Sequence, residues 1–384
     1  MKKLLLSLAF ICNGIFTNAQ WQQTTLNTHE IYSFAKIGAN IFAGTSVGVF
    51  ITNNNGSTWT QVNTGMLNID VKSLYVNGTS LYAGTTTGGA FLSTNNGTAW
   101  TDISLASVYT NITAFAAKGN KIFAGTYGLY VSTNNGGSWT LSLNGLPSDA
   151  ITALLVSGSN IFAGTLQNGV YISTNDGTSW TAVNSGLTSH DISSLTINGN
   201  CIFAGTKSGG IFKSTNNGSS WTAVNNGISD MDIESLTVSG TSICAGGLRK
   251  VYYSFDLGAN WTENSTGLPN SYIHALIINN STLFAATVGY GVWKMAMTGL
   301  GIDEQMENIS IAVFPNPASA NITIETQQKS SIEIYNTLGE IVYQDSRLTF
   351  PDSRLIDISG FAKGMYFVKV KNENGIAVKK FIKE

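Results

Sequence analysis

Short apolar runs separated by Gly, Asn and Ser recur along this chain in a fixed order. Residues 151–184 show the pattern as "ITALLV", "IFAGT", "GVYIST" and "WTAVN". Runs of this length that are rich in β-branched and aromatic residues, and bounded by turn formers, predict β-strands. No stretch has the 3.6-residue period of an amphipathic helix. The pattern therefore predicts units of four short strands, which we call strands a, b, c and d.

The unit repeats with a period of about 40 residues, which is typical of propeller blades. An "IFAGT"-like strand b occurs seven times, and a tryptophan begins strand d in six units, at Trp59, Trp100, Trp139, Trp180, Trp221 and Trp261. The seventh unit ends at "GVWKMAMTG" without a strand d, whereas "WQQTT" from Trp21 matches that strand. We therefore predict an all-β fold, a seven-bladed β-propeller with four-stranded blades in which the N-terminal strand closes the ring.

The turn between strands c and d is nearly the same in six units. In "STNDGTSW", residues 173–180, Asn side chains can bond nearby amides and Gly supplies positive φ, as a tight hairpin requires. These residues resemble the Asp-box, S-x-D-x-G-x-x-W, of BNR-type propellers such as sialidases and sortilin-like receptors. The acidic position is Asn in five units and Asp only at Asp256. The resemblance implies a fold-building turn on the face away from function.

The pattern changes after Gly299, where alternating runs such as "NITIE", "SIEIYN" and "MYFVKV" predict a small antiparallel β-sandwich. "FPNPAS", "NTLGE" and "KGMYFVKV" resemble the type A C-terminal sorting domain of the type IX secretion system of Bacteroidetes. The resemblance implies that the secretion machinery of the outer membrane is a partner. It also implies removal of the domain after export, with the cargo released or attached to the cell surface. A plain immunoglobulin-like accessory domain is the alternative.

The N-terminus has the form of an export signal. Lys2 and Lys3 precede an apolar run over residues 4–11, and small residues, Thr17 and Ala19, stand at the positions that a signal peptidase inspects. A lipoprotein attached through Cys12 is a weaker alternative, because bulky Ile11 precedes it. The predicted domains are a signal peptide at 1–19, a propeller at 20–298, a linker at 299–307 and a sorting domain at 308–384.

Composition excludes several classes of function. Charged residues make up 11% of the chain and the net charge is −2, so no basic face for nucleic acid is expected. The mature chain has no apolar run long enough to span a membrane. Sialidases of the resembled group hold a carboxylate with three arginines, whereas the propeller repeats contain only Arg249. Cys201 and Cys244 fall on equivalent strands, and we expect two buried thiols without a disulfide.

Candidate functional residues lie where the repeats differ from one another, in the loops opposite the c–d turns; we call this side the top face. The residues immediately before strand a form the mouth ring, which is Glu30, Asp70, Asn111, Ala150, Asp191, Asp232 and Tyr272. The b–c loops carry Tyr127, Gln167, Asn168, Lys207, Arg249, Lys250 and Tyr290. His29, His190 and His274 are close to these loops in sequence.

Acidic residues at a channel mouth could bind a cation or act as an acid/base pair on a glycan. The simpler interpretation is that Asp and Asn cap turns there. Tyr and Arg in loops favour a shallow binding surface. We therefore expect a monomeric, non-catalytic binding module for a protein or glycan, without a metal or other cofactor. The alternatives are a glycosidase or lyase that uses the mouth-ring acids and a passive surface or matrix component.

Overall fold

The computed structural model describes residues 20–67, 69–87, 89–104, 111–240, 242–297, 311–326, 330–336, 341–345, 352–372 and 375–384. Regular elements in these residues are all β-strands. The chain divides into two compact units, residues 1–297 and 298–384. The predicted signal peptide at 1–19 and the predicted linker at 299–307 lie outside the described residues.

Seven four-stranded antiparallel sheets make up the described part of the first unit, and each is one blade of a β-propeller. In chain order the strands are β1 (Gln22–Gln23), β2 (Ile31–Ile37), β3 (Asn40–Thr45), β4 (Gly48–Thr52), β5 (Thr60–Gln61), β6 (Val71–Asn77), β7 (Ser80–Thr85), β8 (Ala90–Ser93), β9 (Thr101–Asp102), β10 (Ala114–Lys118), β11 (Lys121–Thr126), β12 (Gly128–Ser132), β13 (Thr140–Leu141), β14 (Ile151–Ser157), β15 (Asn160–Thr165), β16 (Val170–Ser173), β17 (Thr181–Ala182), β18 (Ile192–Asn198), β19 (Cys201–Thr206), β20 (Gly210–Ser214), β21 (Thr222–Ala223), β22 (Ile233–Ser239), β23 (Ser242–Gly247), β24 (Val251–Ser254), β25 (Thr262–Glu263), β26 (Ile273–Asn279), β27 (Thr282–Thr287) and β28 (Gly291–Ala296). Blades 1 to 6 take four successive strands each, beginning with β2.

The N-terminal strand closes the ring, as the sequence predicts. Blade 7 consists of β26, β27 and β28, and β1 is its outer strand, with Gln22 opposite Lys294 and Gln23 opposite Trp293. The inner strands of neighbouring blades contact one another around the ring, and β26 of blade 7 contacts β2 of blade 1. This closure leaves no gap between the first and last blades, so the predicted seven-bladed fold is confirmed.

The core lies between neighbouring blades and explains the repeated "IFAGT". Ile161, Phe162 and Ala163 of strand b are fully buried. The glycine that follows has no room for a side chain, because a Cβ on Gly164 would lie 2.6 Å from Cγ2 of Ile192 in the next blade. Glycine at this position therefore allows adjacent blades to pack closely.

The c–d turns are closed by one set of hydrogen bonds. In blade 5, Oγ of Ser214 accepts from the amide of Gly218 (2.8 Å), and Oδ1 of Asn216 accepts from the amide of Ser220 (2.9 Å). The corresponding bonds occur in all six turns. The turn needs only an acceptor oxygen at the position of Asn216, so Asn serves there as well as Asp.

In five of the six c–d turns the tryptophan that follows ties its blade to the preceding one; the exception is Trp59 of blade 1, whose Nε1 has no hydrogen-bond partner. Nε1 of Trp221 in blade 5 donates to the carbonyl of Val183 in blade 4 (2.8 Å), and Nε1 of Trp261 donates to that of Val224 (2.8 Å). Trp21 plays the same part for blade 7, because its Nε1 donates to the carbonyl of Asn264 in blade 6 (2.8 Å). The repeated tryptophan is thus a structural link.

The second unit packs two antiparallel sheets around a common apolar core. Its strands are β29 (Ile311–Phe314), β30 (Asn321–Thr326), β31 (Ser331–Tyr335), β32 (Ile341–Asp345), β33 (Asp352–Asp357), β34 (Gly364–Asn372) and β35 (Gly375–Lys383). One sheet has the order β29-β30-β33 and the other β32-β31-β34-β35. The core includes Ile322, Ile324, Ile332, Ile334, Val368, Val370 and Phe381. This is the small β-sandwich that the alternating runs predict.

Candidate functional site

A β-bulge near the start of strand a changes the direction of one side chain per blade. In six blades the pairing of strands a and b slips after the first residue of strand a, as between Ile31 and Ser33 in blade 1. A bulge leaves one residue unpaired and re-aims its side chain. The unpaired residue is the second of strand a, Tyr32 in blade 1, and it lines the central channel.

The channel holds a cavity of about 440 Å³ that is lined by three successive residues from the beginning of strand a in each blade, where in blade 3 the first of them, Thr113, immediately precedes β10. The first of these three lining residues varies most between blades. We call the seven residues at this position the channel ring: Tyr32, Lys72, Thr113, Thr152, Ser193, Glu234 and His274. The third lining residue is apolar in every blade: Phe34, Leu74, Phe115, Leu154, Leu195, Leu236 and Leu276. The cavity therefore has a polar, asymmetric upper wall above an apolar lower wall.

Blades 3, 4 and 5 present hydroxyl groups whose protons are already used. Thr113 donates to the carbonyl of Ile151 and Thr152 to that of Ile192, each in the next blade. Ser193 donates to the carbonyl of Ile233 in the same way. Because each hydroxyl spends its one proton on a backbone carbonyl, only its acceptor capacity is left for the channel.

Blades 7, 1 and 2 carry an aromatic and charged group instead. The rings of Tyr32 and His274 stack with centroids 6.0 Å apart. Nζ of Lys72 lies 3.4 Å from the Tyr32 centroid and 3.3 Å from Oδ1 of Asp70. Burial lowers the pKa of His274 and, together with the hydrogen bond to Glu30, raises the pKa of Tyr32. His274 is thus held neutral over a wider pH range than a free imidazole.

Blades 5 and 6 carry a group of charged residues that includes Lys207 of the b–c loops and Asp232 of the mouth ring. Nζ of Lys207, from a b–c loop, donates to the Glu234 carboxylate and lies 4.0 Å from Oδ1 of Asp232. Burial raises the pKa of both Asp191 and Asp232, and the nearby Lys207 opposes that rise. Lys207 is therefore bound to the channel wall and does not project freely into solvent.

The mouth ring combines a repeated backbone role with variable side chains. In blades 7, 1, 2, 4 and 5 the carbonyl at this position accepts from the first loop amide after strand b, as in Ser46 to Glu30 (3.1 Å) and Val288 to Tyr272 (3.1 Å). That bond is independent of the side chain, so the residue type is free to change. Oδ1 atoms of Asn111, Asp191 and Asp232 are buried without a hydrogen-bond partner.

Some b–c loop residues are hydrogen-bonded to neighbouring parts of the propeller, and others are exposed to solvent. Lys250 bonds Ser229 (2.7 Å) and Glu263 (2.9 Å), so it holds its loop to strand d. The amide of Gln167 and the side chain of Asn168 both donate to Oδ2 of Asp149, at 2.8 Å each.

Three other b–c loop residues, unlike Lys207, point into solvent. Tyr127 is 77% exposed, and Tyr290 is 49% exposed. Arg249 is exposed and has a φ of 66°, a conformation that the equivalent Gly210 reaches without strain. These three side chains are exposed, as is that of Gln167, whose bond to Asp149 is made by its backbone amide.

The histidines and cysteines separate in the structure. His274 lines the channel, whereas His29 stacks on Phe50 (5.6 Å) and His190 is exposed. Cys201 and Cys244 are both free thiols, and burial raises the pKa of Cys244 to about 12. Cys201 is only half-buried, which differs from the expectation of two buried thiols.

Sequence reasoning missed the channel-ring residues Tyr32, Lys72 and Glu234. The available signal was the one that identified the mouth ring, namely the difference in residue type between repeats, here at the residue after the first one of strand a.

Within the described ranges, no group of three or more His, Cys, Asp or Glu side chains could hold a metal ion. The same residues include no helix long and apolar enough to cross a membrane.

Comparisons with known proteins agree with this architecture. Beta-agarase A of Zobellia galactanivorans is 32% identical over 83 residues, which cover 21% of this chain and 15% of that protein's length. The solved structure of YCF48 bound to D1 peptide is 15% identical with a TM-score of 0.58, and the alignment covers 74% of this chain and 96% of that one. The solved structure of the GH74 enzyme of Niastella koreensis is 15% identical with a TM-score of 0.61, and the alignment covers 94% of this chain and 67% of that one. At these identities the structures indicate the fold alone.

Two family matches cover most of the chain. The C-terminal residues 312–384 match a secretion system C-terminal sorting domain, which indicates secretion across the outer membrane to the cell surface or the extracellular space. The DUF6242 beta propeller domain matches residues 12–161 and again 161–289. The BNR and sialidase resemblance is not among these matches and stays a prediction. The chain therefore belongs to the DUF6242 beta propeller domain family and carries a type IX sorting domain at its C-terminal end.

Proposed function

We propose that this secreted propeller is a non-catalytic binding module whose protein or glycan ligand lies over the top mouth of the channel. The observation that carries the proposal is the asymmetry of the channel ring. The blades repeat almost residue for residue in strand b and in the c–d turn, yet the channel ring has six residue types in seven blades. Folding does not require that variety, so a ligand is the simplest reason for it.

The lining favours a ligand that donates hydrogen bonds. Three channel-ring hydroxyls retain only acceptor capacity, and the buried Oδ1 atoms of Asn111 and Asp191 lack donors. An unpaired buried acceptor costs about 1–3 kcal/mol, which a ligand donor would recover. The exposed Tyr127, Arg249 and Tyr290 would then contact the outer parts of the same ligand.

Binding by the purified mature chain can be measured on a glycan array and in a pull-down from outer membranes. For whichever ligand is found, Tyr290→Ala and Arg249→Ala are expected to weaken binding severalfold and to change the melting temperature little, because both side chains are exposed. Tyr32→Ala should weaken binding further, because it removes the aromatic wall of the channel.

Lys121→Ala is the matched control, because Lys121 pairs with Asp176 of a c–d turn on the opposite face. Binding that survives the three top-face changes together, but is lost in Lys121→Ala, would contradict the proposal. A small ligand would be affected mainly by the Tyr32 change, whereas a protein would be affected by all three.

A polysaccharide-active enzyme, a glycosidase or lyase, is the second candidate. It is favoured by the direction in which burial shifts the pKa of Asp191 and Asp232 beside Glu234, since a general acid needs a carboxyl whose pKa is raised. The similar fold of the Niastella koreensis GH74 enzyme is compatible with it. Release of reducing ends from a polysaccharide panel, abolished in Glu234→Gln, would establish this alternative.

The domain boundaries also remain proposals. We propose a signal peptide at 1–19, a propeller at 20–298, a linker at 299–307 and a sorting domain at 308–384. The monomeric state of the propeller is a further expectation. Mass determination of the secreted form would test the first and last boundaries together, and sedimentation of the same material would test the monomer.

A further inference from the structure

The four-stranded sheet of the sorting domain carries large apolar side chains on both of its faces, although a sandwich needs them on only one. Its inner face is the core, where Ile332 and Ile334 of β31 and Val368 of β34 are fully buried. Side chains alternate along a strand, so the residues between these positions lie on the outer face. In an antiparallel sheet that face is normally polar and solvated.

The strand register assembles apolar side chains on this outer face. Tyr335 of β31 lies opposite Ile341 of β32 on one side and opposite Phe367 of β34 on the other. Met365, the outward-facing residue of β34 two positions before Phe367, lies opposite Ile382 of β35. We call these five residues the outer patch.

The outer patch is exposed as well as apolar. Ile341, Met365, Phe367 and Ile382 are each between 36% and 50% exposed, and they come from three different strands. The adjoining row is charged, with Nζ of Lys369 3.1 Å from Oε2 of Glu333. A contiguous apolar surface with a charged rim is the usual anatomy of a protein–protein contact.

We propose that the outer patch is the surface by which the sorting domain docks on the secretion machinery of the outer membrane. The partner is a protein because a sorting domain must be distinguished from other exported chains, and cross-strand aromatic and aliphatic side chains provide that selectivity. Its matching surface is apolar at the centre, with carboxylates that pair with Lys380 at the edge of the patch. The proposal does not depend on what the propeller binds.

The test is export of the full-length chain by a type IX-competent host. Phe367→Lys and Met365→Lys place a charge in the centre of the outer patch and leave the core face untouched, so each should reduce the amount in the medium by about tenfold. Leu355→Lys is the matched control, because Leu355 is 73% exposed and lies in the other sheet. It should be exported like the unchanged chain.

Photo-crosslinking keeps the proposal testable if a lysine variant is degraded. A crosslinking amino acid at position 367 should give an adduct with an outer-membrane protein of the secretion system, and the same group at position 355 should not. Normal export of both patch variants, equal loss in Leu355→Lys, or adducts only with lipid or with a second copy of the chain would each overturn the proposal.

Discussion

At the scale of single residues, the chain replaces an acidic turn residue by Asn without loss of the turn. Oδ1 of Asn216 accepts from Oγ of Ser214 and from the amide of Ser220, both at 2.9 Å. Asp256 makes the same two contacts with Ser254 and Asn260. The turn therefore selects for an acceptor oxygen and is indifferent to charge.

This indifference predicts the outcome of two substitutions. Asn216→Ala removes the acceptor and should cost on the order of 1–2 kcal/mol of unfolding free energy, as loss of a capping side chain does. Asn216→Asp keeps the acceptor and should stay within about 0.5 kcal/mol. Urea unfolding of the two variants beside the unchanged chain measures the difference, and equal losses would contradict the explanation.

His274 is expected to make folding sensitive to mild acid. Burial lowers its pKa in the folded state, whereas the unfolded imidazole titrates near its ordinary pKa of about 6.5. Between the lowered folded pKa and 6.5 the unfolded chain therefore binds more protons, and stability falls as the pH falls. The charged groups that act on it are Glu234, Lys207, Glu30 and Lys72.

The prediction is tested by melting temperatures between pH 8 and pH 5. His274→Gln should flatten the acid side of the profile, because the group that takes up the proton is gone. His190→Gln, at an exposed position, serves as the control and should keep the slope of the unchanged chain. A His274→Gln profile parallel to that of the unchanged chain would exclude His274 as the source.

At the scale of elements, the two-residue strand β1 completes the last blade although it is the first strand of the chain. Trp21 beside it is 3% exposed and bonds blade 6, and the amide of Thr24 donates to the carbonyl of Val292 (2.9 Å). The element joins the two ends of the ring, so its removal would open the edge of β28. Exposed strand edges destabilise a sheet fold and invite aggregation.

Trp21→Ala should therefore cost on the order of 3–5 kcal/mol of unfolding free energy, as loss of a buried tryptophan does. Gln22→Ala, at an exposed position on the same strand, should stay within about 0.5 kcal/mol. Thermal or denaturant unfolding decides the matter. Equal midpoints for Trp21→Ala and the unchanged chain would mean that β1 does not carry the closure.

At the scale of the whole molecule, the chain combines a propeller that closes on itself with a separate sorting domain. The first unit ends at Met297, after the last strand of blade 7, and the second contains its own core. Each unit can then be assessed without the other. Secretion across the outer membrane is a property of the second unit.

A chain that ends at Met297 should fold but remain in the periplasm of a type IX-competent host. Its melting temperature should equal that of the propeller transition in the full chain, because every blade is complete. Fractionation of cells and medium gives the location. Recovery from the medium at the level of the full chain would show that the last residues are not the export address.

Local regularity allowed the sequence to determine most of the fold. Blade number, the exchange of the N-terminal strand and the c–d turns could be predicted, because each rests on residue patterns that repeat within about 40 positions, or on a single missing strand d matched by Trp21. The β-sandwich was predictable from alternation in the same way. These features depend on local backbone preference and on side-chain alternation along a strand.

The site was decided by tertiary structure. The bulge that turns Tyr32 and His274 into the channel is a property of how strands a and b pair, and the stacking of these rings joins the first blade to the last. Lys207 of blade 5 meets Glu234 of blade 6 because neighbouring blades pack side by side. Sequence spacing cannot report such contacts, since they depend on which strands become neighbours once the ring has formed and on which side chains the bulge redirects.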